Sequence, residues 1–174
     1  MKILRQISKS IFLNGFMAYE LGLSDIPQTI KEEIPNLEVP RLRSDPKYGL
    51  IDLKNICKKQ PYDLVIGFSM GGVYALRIES KLTILINPGL GISEGIKAKK
   101  PEYSSGFKKL EQLPIVATNV IGIFGEYDKI RSKTEPIFVS MFGKDKVKYF
   151  PGKHIPTTEE LYNYIIPTIK RSTL

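Results

Sequence analysis

With 174 residues, of which 42% are hydrophobic and 25% charged, the chain has the size and composition of one globular domain able to bury a sizeable core. The formal net charge of +8 invites anionic partners, but the lysines are scattered in pairs (Lys58–Lys59, Lys99–Lys100, Lys108–Lys109) without a nucleic-acid motif, so a solvated basic surface and no nucleic-acid partner are expected. A single cysteine, Cys57, rules out an internal disulfide, no apolar run reaches the length of a membrane span, and the N-terminal stretch "MKILRQISKSIFLNGF" is broken by Arg5, Gln6, Lys9 and Ser10 where a signal peptide would be continuously apolar, so a cytoplasmic location is expected.

In chain order, short β-branched runs alternate with segments of helical period. "SIFLN" (10–14) reads as a strand. Ser24 is placed to cap a helix that Pro35 ends, and "LEVP" (37–40) reads as a second strand. In "LIDLKNICKK", Leu50, Leu53, Ile56 and Cys57 share one helical face, which makes Cys57 a core filler. "DLVIGF" (63–68) and "LTILIN" (82–87) are apolar enough for strands covered on both faces, with a helix from Met70 to about Ser80 between them. The stretch from Pro88 to about Pro114 is long, basic and glycine-bearing, with a weak helical pattern near 106–113. "NVIGIFG" (119–125), a helix near 132–142 and "KVKYF" (146–150) follow. A last helix starts at Thr157 or Thr158, where Glu160 completes a capping box, and Pro167 should kink or shorten it. Strand–helix alternation with short links predicts right-handed crossovers and a doubly wound, mainly parallel sheet of about six strands.

The stretch "GFSMGG" (67–72) sits where a strand ends and a helix begins. The pattern G-x-S-x-G is weak alone, and the setting gives it meaning. A tight strand–turn–helix pushes a serine hydroxyl above the strand end, and side chains at Gly67 and Gly71 would collide there, while Gly72 lets the helix approach the sheet. The helix start also aims free N–H groups at the hydroxyl, the Met70 N–H first among them. Ser69 is therefore the candidate nucleophile, and a serine needs a base. The one histidine, His154, follows the last strand in "PGKHIP", at the sheet edge where Ser69 emerges. Asp128 closes "VIGIFGEYD" just past a strand end and is the candidate acid; Glu126 is a nearby rival, and Asp145 and Glu94 are worse placed.

The order Ser69, Asp128, His154, carried by "IFLNGF", "IGFSMGG", "IFGEYD" and "PGKH", resembles the α/β-hydrolase superfamily along nearly the whole chain. The small size and "LINPGL" look most like compact bacterial YqiA-type esterases. The resemblance implies a three-layer α/β/α sandwich and a hydrolase of carboxylic esters or thioesters. It also implies a second oxyanion donor in the loop after the first strand, from the N–H of Phe16 (or Met17). Asn14 stands where family members often carry a loop-supporting histidine.

The expected chemistry is acyl transfer to water through an acyl-enzyme on Ser69, with His154 as base, Asp128 behind it, and the Met70 and Phe16 N–H groups on the oxyanion. A small acyl ester or thioester is the expected substrate, and no metal or organic cofactor is expected. A peptidase, lactonase or acyltransferase would use the same residues, and a non-catalytic binding protein on the same scaffold is the alternative outside enzymes. One domain is expected over 1–174, with 88–114 as a lid-like excursion. In it Leu90, Ile92, Ile96, Phe107 and Leu110 would line an acyl pocket. Its outward lysines would either keep the loop soluble or draw in a substrate bearing negative charge.

Overall fold

A computed structural model describes residues 7–22 and 25–173. Its strands are β1 (Ser10–Leu13), β2 (Leu37–Glu38), β3 (Tyr62–Phe68), β4 (Ser80–Ile86), β5 (Val120–Gly125) and β6 (Val147–Phe150). They form one sheet in the order β2-β1-β3-β4-β5-β6, and every pairing is parallel. From β1 the chain goes first to one side, to β2, and then crosses to β3 on the other. The connections after β1 and β3 therefore leave in opposite directions and open a crevice between their C-terminal ends, the usual ligand position in such sheets.

The helices are α1 (Asp25–Glu33), α2 (Pro46–Cys57), α3 (Met70–Ala75), α4 (Ile92–Ile96), α5 (Pro101–Gln112), α6 (Arg131–Phe142), α7 (Thr158–Glu160) and α8 (Ile166–Ser172). Period-2 alternation in the strands splits the core in two. Ile11, Leu13, Val65 and Leu85 face one side and pack with α2, α3, α5 and α6. Phe12, Leu64, Ile66 and Ile84 face the other and pack with Ile26 and Ile30 of α1 and with Ile166 and Ile169 of α8. Helices thus cover both faces, which gives the expected three layers. No helix among the described residues is long and apolar enough to cross a membrane.

Local expectations and structure differ in three places, each for a physical reason. Helix α3 stops at Ala75, well before Ser80, because β4 already begins there, with Ser80 opposite Tyr62. Pro167 does not shorten the C-terminal helix, which continues to Ser172. The proline lacks the N–H that would bond Asn163, and the chain widens to a π turn over Leu161–Ile165 before helix resumes as α8. Its start is capped reciprocally: the Thr157 N–H donates to Glu160 Oε2 at 2.8 Å, and the Glu160 N–H donates to Thr157 Oγ1 at 3.2 Å. The Ser24 cap lies outside the described residues.

The third difference concerns 88–114. This segment folds as α4 and α5, and Leu90, Ile96, Phe107 and Leu110 are buried in the core shared with α2 and α3. Ile92 packs against the same cluster. The five side chains expected to line a pocket fill the core instead, and Lys97, Lys99, Lys100, Lys108 and Lys109 are exposed on the outer surface. Cys57 matches its expected role. It is half-buried beside the core, its Sγ donates to the Arg77 carbonyl at 3.6 Å, and burial pushes the thiol up from its ordinary value.

Asp63, near the start of β3, ties the entry of β1 to the sheet. The Ser8 N–H, Ser8 Oγ–H and Lys9 N–H donate to its Oδ2 at 3.0, 2.8 and 3.1 Å, and Lys81 Nζ lies 2.7 Å from Oδ1. Lys81, and then the Ser8 hydroxyl, hold the carboxyl well below the usual carboxylate range. A depressed folded-state pKa adds stability that is fully present above the unfolded value of about 3.9 and is lost as the pH falls below it. Lys81 is largely exposed, so solvent screens part of its share, while the three neutral donors are held by the fold. Asp63→Asn is expected to cost about 1–3 kcal/mol at neutral pH. Denaturant melts of the two proteins should converge as the pH is lowered below about 4; a constant gap down to acid would refute this role for the charge.

Candidate active site

The turn from β3 to α3 is built by exclusion. A Cβ on Gly67 would lie 2.7 Å from the Gly71 carbonyl oxygen, and one on Gly71 only 2.0 Å from the Leu13 carbonyl oxygen at the end of β1. Only glycine lets the helix start press onto both strands. Ser69 between them takes φ 51 and ψ −119, a left-handed conformation that costs a non-glycine residue energy and persists only where the surroundings enforce it. They do so here: the Ser69 N–H donates to the Ile86 carbonyl at 3.0 Å, and its own carbonyl accepts from the Gly72 and Gly89 N–H groups at 3.0 and 2.8 Å.

Beyond the strand ends, the β5–β6 pairing carries on. The Glu126 N–H donates to the Phe150 carbonyl and the Tyr127 N–H to the Gly152 carbonyl, both at 2.9 Å. This lashes the loop bearing Asp128 to the loop bearing His154. His154 Nδ1 lies 2.8 Å from Asp128 Oδ2, and its Nε2 lies 2.9 Å from Ser69 Oγ. Asp128 Oδ1 accepts the Ile130 N–H at 3.0 Å, and the Asp128 side chain is 1% exposed against 33% for His154. An ionised carboxylate only accepts, so Nδ1 carries the proton and Nε2 presents its lone pair to the serine hydroxyl. The Phe68 ring lies against the imidazole, centroids 5.6 Å apart. Glu126, Asp145 and Glu94 are all exposed, and the geometry brings none of them to His154.

In the loop after β1, Asn14 Oδ1 accepts the Gly15 N–H at 2.9 Å, and Gly15 packs under Phe68 and Ser69. The Met17 N–H donates to Ser44 Oγ at 2.6 Å, so of the two candidate amides Met17 is already engaged. Ser44 is itself held by Glu20, which accepts its N–H and its hydroxyl at 2.8 and 3.1 Å. The Phe16 N–H makes no hydrogen bond among the described residues. Met70 is the first residue of α3, so its N–H has no partner within the helix.

Ser69 and His154 open onto a cavity of about 380 Å³ in the crevice between β1 and β3. Phe16, Ala18, Ile26, Pro27, Phe68 and Ile155 make its wall apolar. No residue of 88–114 lines it. Among the described residues around it Asp25 is the one carboxylate, and no lysine or arginine is present. Sequence reasoning missed this wall. A clue was available in Ile26 and Pro27, the apolar residues in the first turn of α1.

The serine hydrolase (FSH1) family model matches residues 53–164, a span that contains Ser69, Asp128 and His154. No curated protein sequence matches the chain. Among solved structures, Est1E from Butyrivibrio proteoclasticus superposes with a TM-score of 0.56 at 14% identity, covering 98% of this chain and 88% of its own. The esterase domain of a Rhodothermus marinus protein gives 0.58 at 12% identity, with 95% and 88% covered. The S-formylglutathione hydrolase FrmB of Staphylococcus aureus gives 0.51 at 14%, with 96% and 82% covered. At these identities the likeness is one of fold, the α/β-hydrolase fold, and nothing in it bears on the narrower likeness to YqiA-type esterases. The family match extends over more than half of the sequence, and the chain belongs to the serine hydrolase (FSH1) family.

Proposed function

We propose that this serine hydrolase cleaves a carboxylic ester or thioester of a small, uncharged acyl group through an acyl-enzyme on Ser69. The observation that carries the reading is the unbroken hydrogen-bonded line from Ser69 Oγ through His154 to buried Asp128, at 2.9 and 2.8 Å, opening on an apolar cavity. As Ser69 Oγ bonds to the acyl carbon, its proton passes to His154 Nε2 and the carbonyl electrons move to oxygen. The Met70 and Phe16 N–H groups hold that oxyanion, each donor of this kind being worth about 3–4 kcal/mol in the transition state. Collapse expels the alcohol or thiol, which takes the proton from Nε2. Water then repeats the sequence on the acyl-enzyme and frees Ser69.

The cavity sits near the lower end of small-ligand clefts, which favours short to medium acyl groups over long ones. Its one carboxylate, Asp25, disfavours a second carboxylate on the acyl chain. Among the described residues around the cavity there is no lysine or arginine to pair with an anionic acyl group. The test is a panel of neutral and ω-carboxylated acyl esters and thioesters, together with a fluorophosphonate probe. Labelling is expected on the peptide containing Ser69, with the highest kcat/KM on neutral short-to-medium acyl groups. Asp25 is exposed and screened, so Asp25→Asn should narrow the neutral-to-anionic preference by only about two- to fivefold. Labelling at another residue, or cleavage confined to amides, would overturn the reading.

A further inference from the structure

We infer that Asn87, the residue after β4, is a positioning residue that holds His154 at its working distance from Ser69; the inference rests on the reading of His154 as the base. Asn87 is fully buried, with φ 42, in the short stretch Ile86–Gly89 that leaves the middle of the sheet. Its main-chain N–H donates to the Ile123 carbonyl at 2.8 Å. Its side chain reaches the other way. Nδ2 donates to the Lys153 and His154 carbonyls at 3.0 and 2.8 Å, and Oδ1 accepts the Gly125 N–H at 2.7 Å. Two acceptors on one side and a donor on the other fix the orientation of the amide, since a flipped group would face like with like three times.

The same four residues brace the nucleophile. The Ile86 carbonyl accepts the Ser69 N–H, and the Gly89 N–H donates to the Ser69 carbonyl. One stretch thus holds the Ser69 turn with its main chain and the His154 loop with the Asn87 side chain. Through Gly125 it also holds the strand end that leads to Asp128. Among the described residues no other hydrogen bond reaches the Lys153 or His154 carbonyl, so the amide is what anchors this part of the loop main chain. The geometry demands an amide. A carboxylate cannot donate to the two carbonyls, and serine is too short to span both loops. Asparagine also tolerates the left-handed backbone at this position.

If Asn87 only satisfies buried polar groups, its loss lowers stability and leaves turnover alone. If it positions His154, turnover falls in a folded protein, since a 1 Å misplacement of a reacting group costs about 10²-fold. Two variants separate these. Asn87→Gly removes the side chain at no cost to the positive φ, and Asn87→Asp keeps shape and the acceptor for Gly125 while losing donors. For either one, folded by circular dichroism, kcat on a neutral acyl ester is expected to drop about 100-fold or more with KM within about threefold. The chain has one histidine. Its ring Nδ1–H proton, bonded to Asp128, is therefore a single assignable NMR signal, and it should shift or broaden in both variants.

Folded variants with kcat within about threefold of wild type and an unchanged imidazole signal would overturn the inference. So would failure of both variants to fold, which would make Asn87 a purely structural residue. Ser69→Ala and His154→Ala in the same assay keep the two readings apart. If those retain turnover, the mechanism fails, and the imidazole signal, which needs no turnover, still reports whether Asn87 holds the ring.

Discussion

Ser69→Ala is expected to abolish ester hydrolysis and fluorophosphonate labelling, by about 10⁴-fold or more in kcat, while the protein stays folded. The chemical effect is large because Ser69 carries the one hydroxyl among the described residues that line the cavity, and that hydroxyl faces the base. His154 and the oxyanion amides remain, and they sustain only a residual rate with water as nucleophile. The structural effect is small. Ser69 already bears the cost of φ 51, so alanine adds little, and the one side-chain hydrogen bond lost is the one to His154. Rates, labelling by mass spectrometry and circular dichroism on the two proteins check this. A folded alanine variant with near-wild-type turnover would show that the nucleophile lies elsewhere.

Asp128→Asn is expected to lower kcat by about 10⁴-fold, and Glu126→Gln to leave it near wild type. The asparagine oxygen can still accept the Ile130 N–H, so the loop persists. Its amide, however, donates to His154 Nδ1 and forces the imidazole proton onto Nε2, where no lone pair is left to take the Ser69 proton. The buried carboxylate would also no longer stabilise the imidazolium. Should Glu126→Gln carry the large loss and Asp128→Asn none, the acid has been assigned to the wrong carboxylate despite the 2.8 Å contact.

The sequence by itself determined what depends on short-range chemistry. Six apolar runs of alternating face, separated by helical period, leave little but a parallel sheet covered on both sides. The glycines of "GFSMGG" mark a turn that only they permit, and the chain order of Ser69, Asp128 and His154 puts each just past a strand end. In a parallel sheet those ends share one edge.

Tertiary structure decided how far each group reaches and what covers it. Asp128 and Glu126 are two residues apart and equal in charge, and only the turn after β5 buries the first and exposes the second. The apolar residues of 88–114 read equally well as pocket lining or core filling, because periodicity tells which face is apolar and not which neighbour meets it. They meet α2 and α3. The cavity fell instead to the crevice where the connections from β1 and β3 part, with Ile26, Pro27 and Ile155 as its wall. Asn87 was silent in the sequence for the same reason. Its partners, Gly125, Lys153 and His154, lie 38, 66 and 67 residues away, and no local pattern encodes a hydrogen bond across that distance.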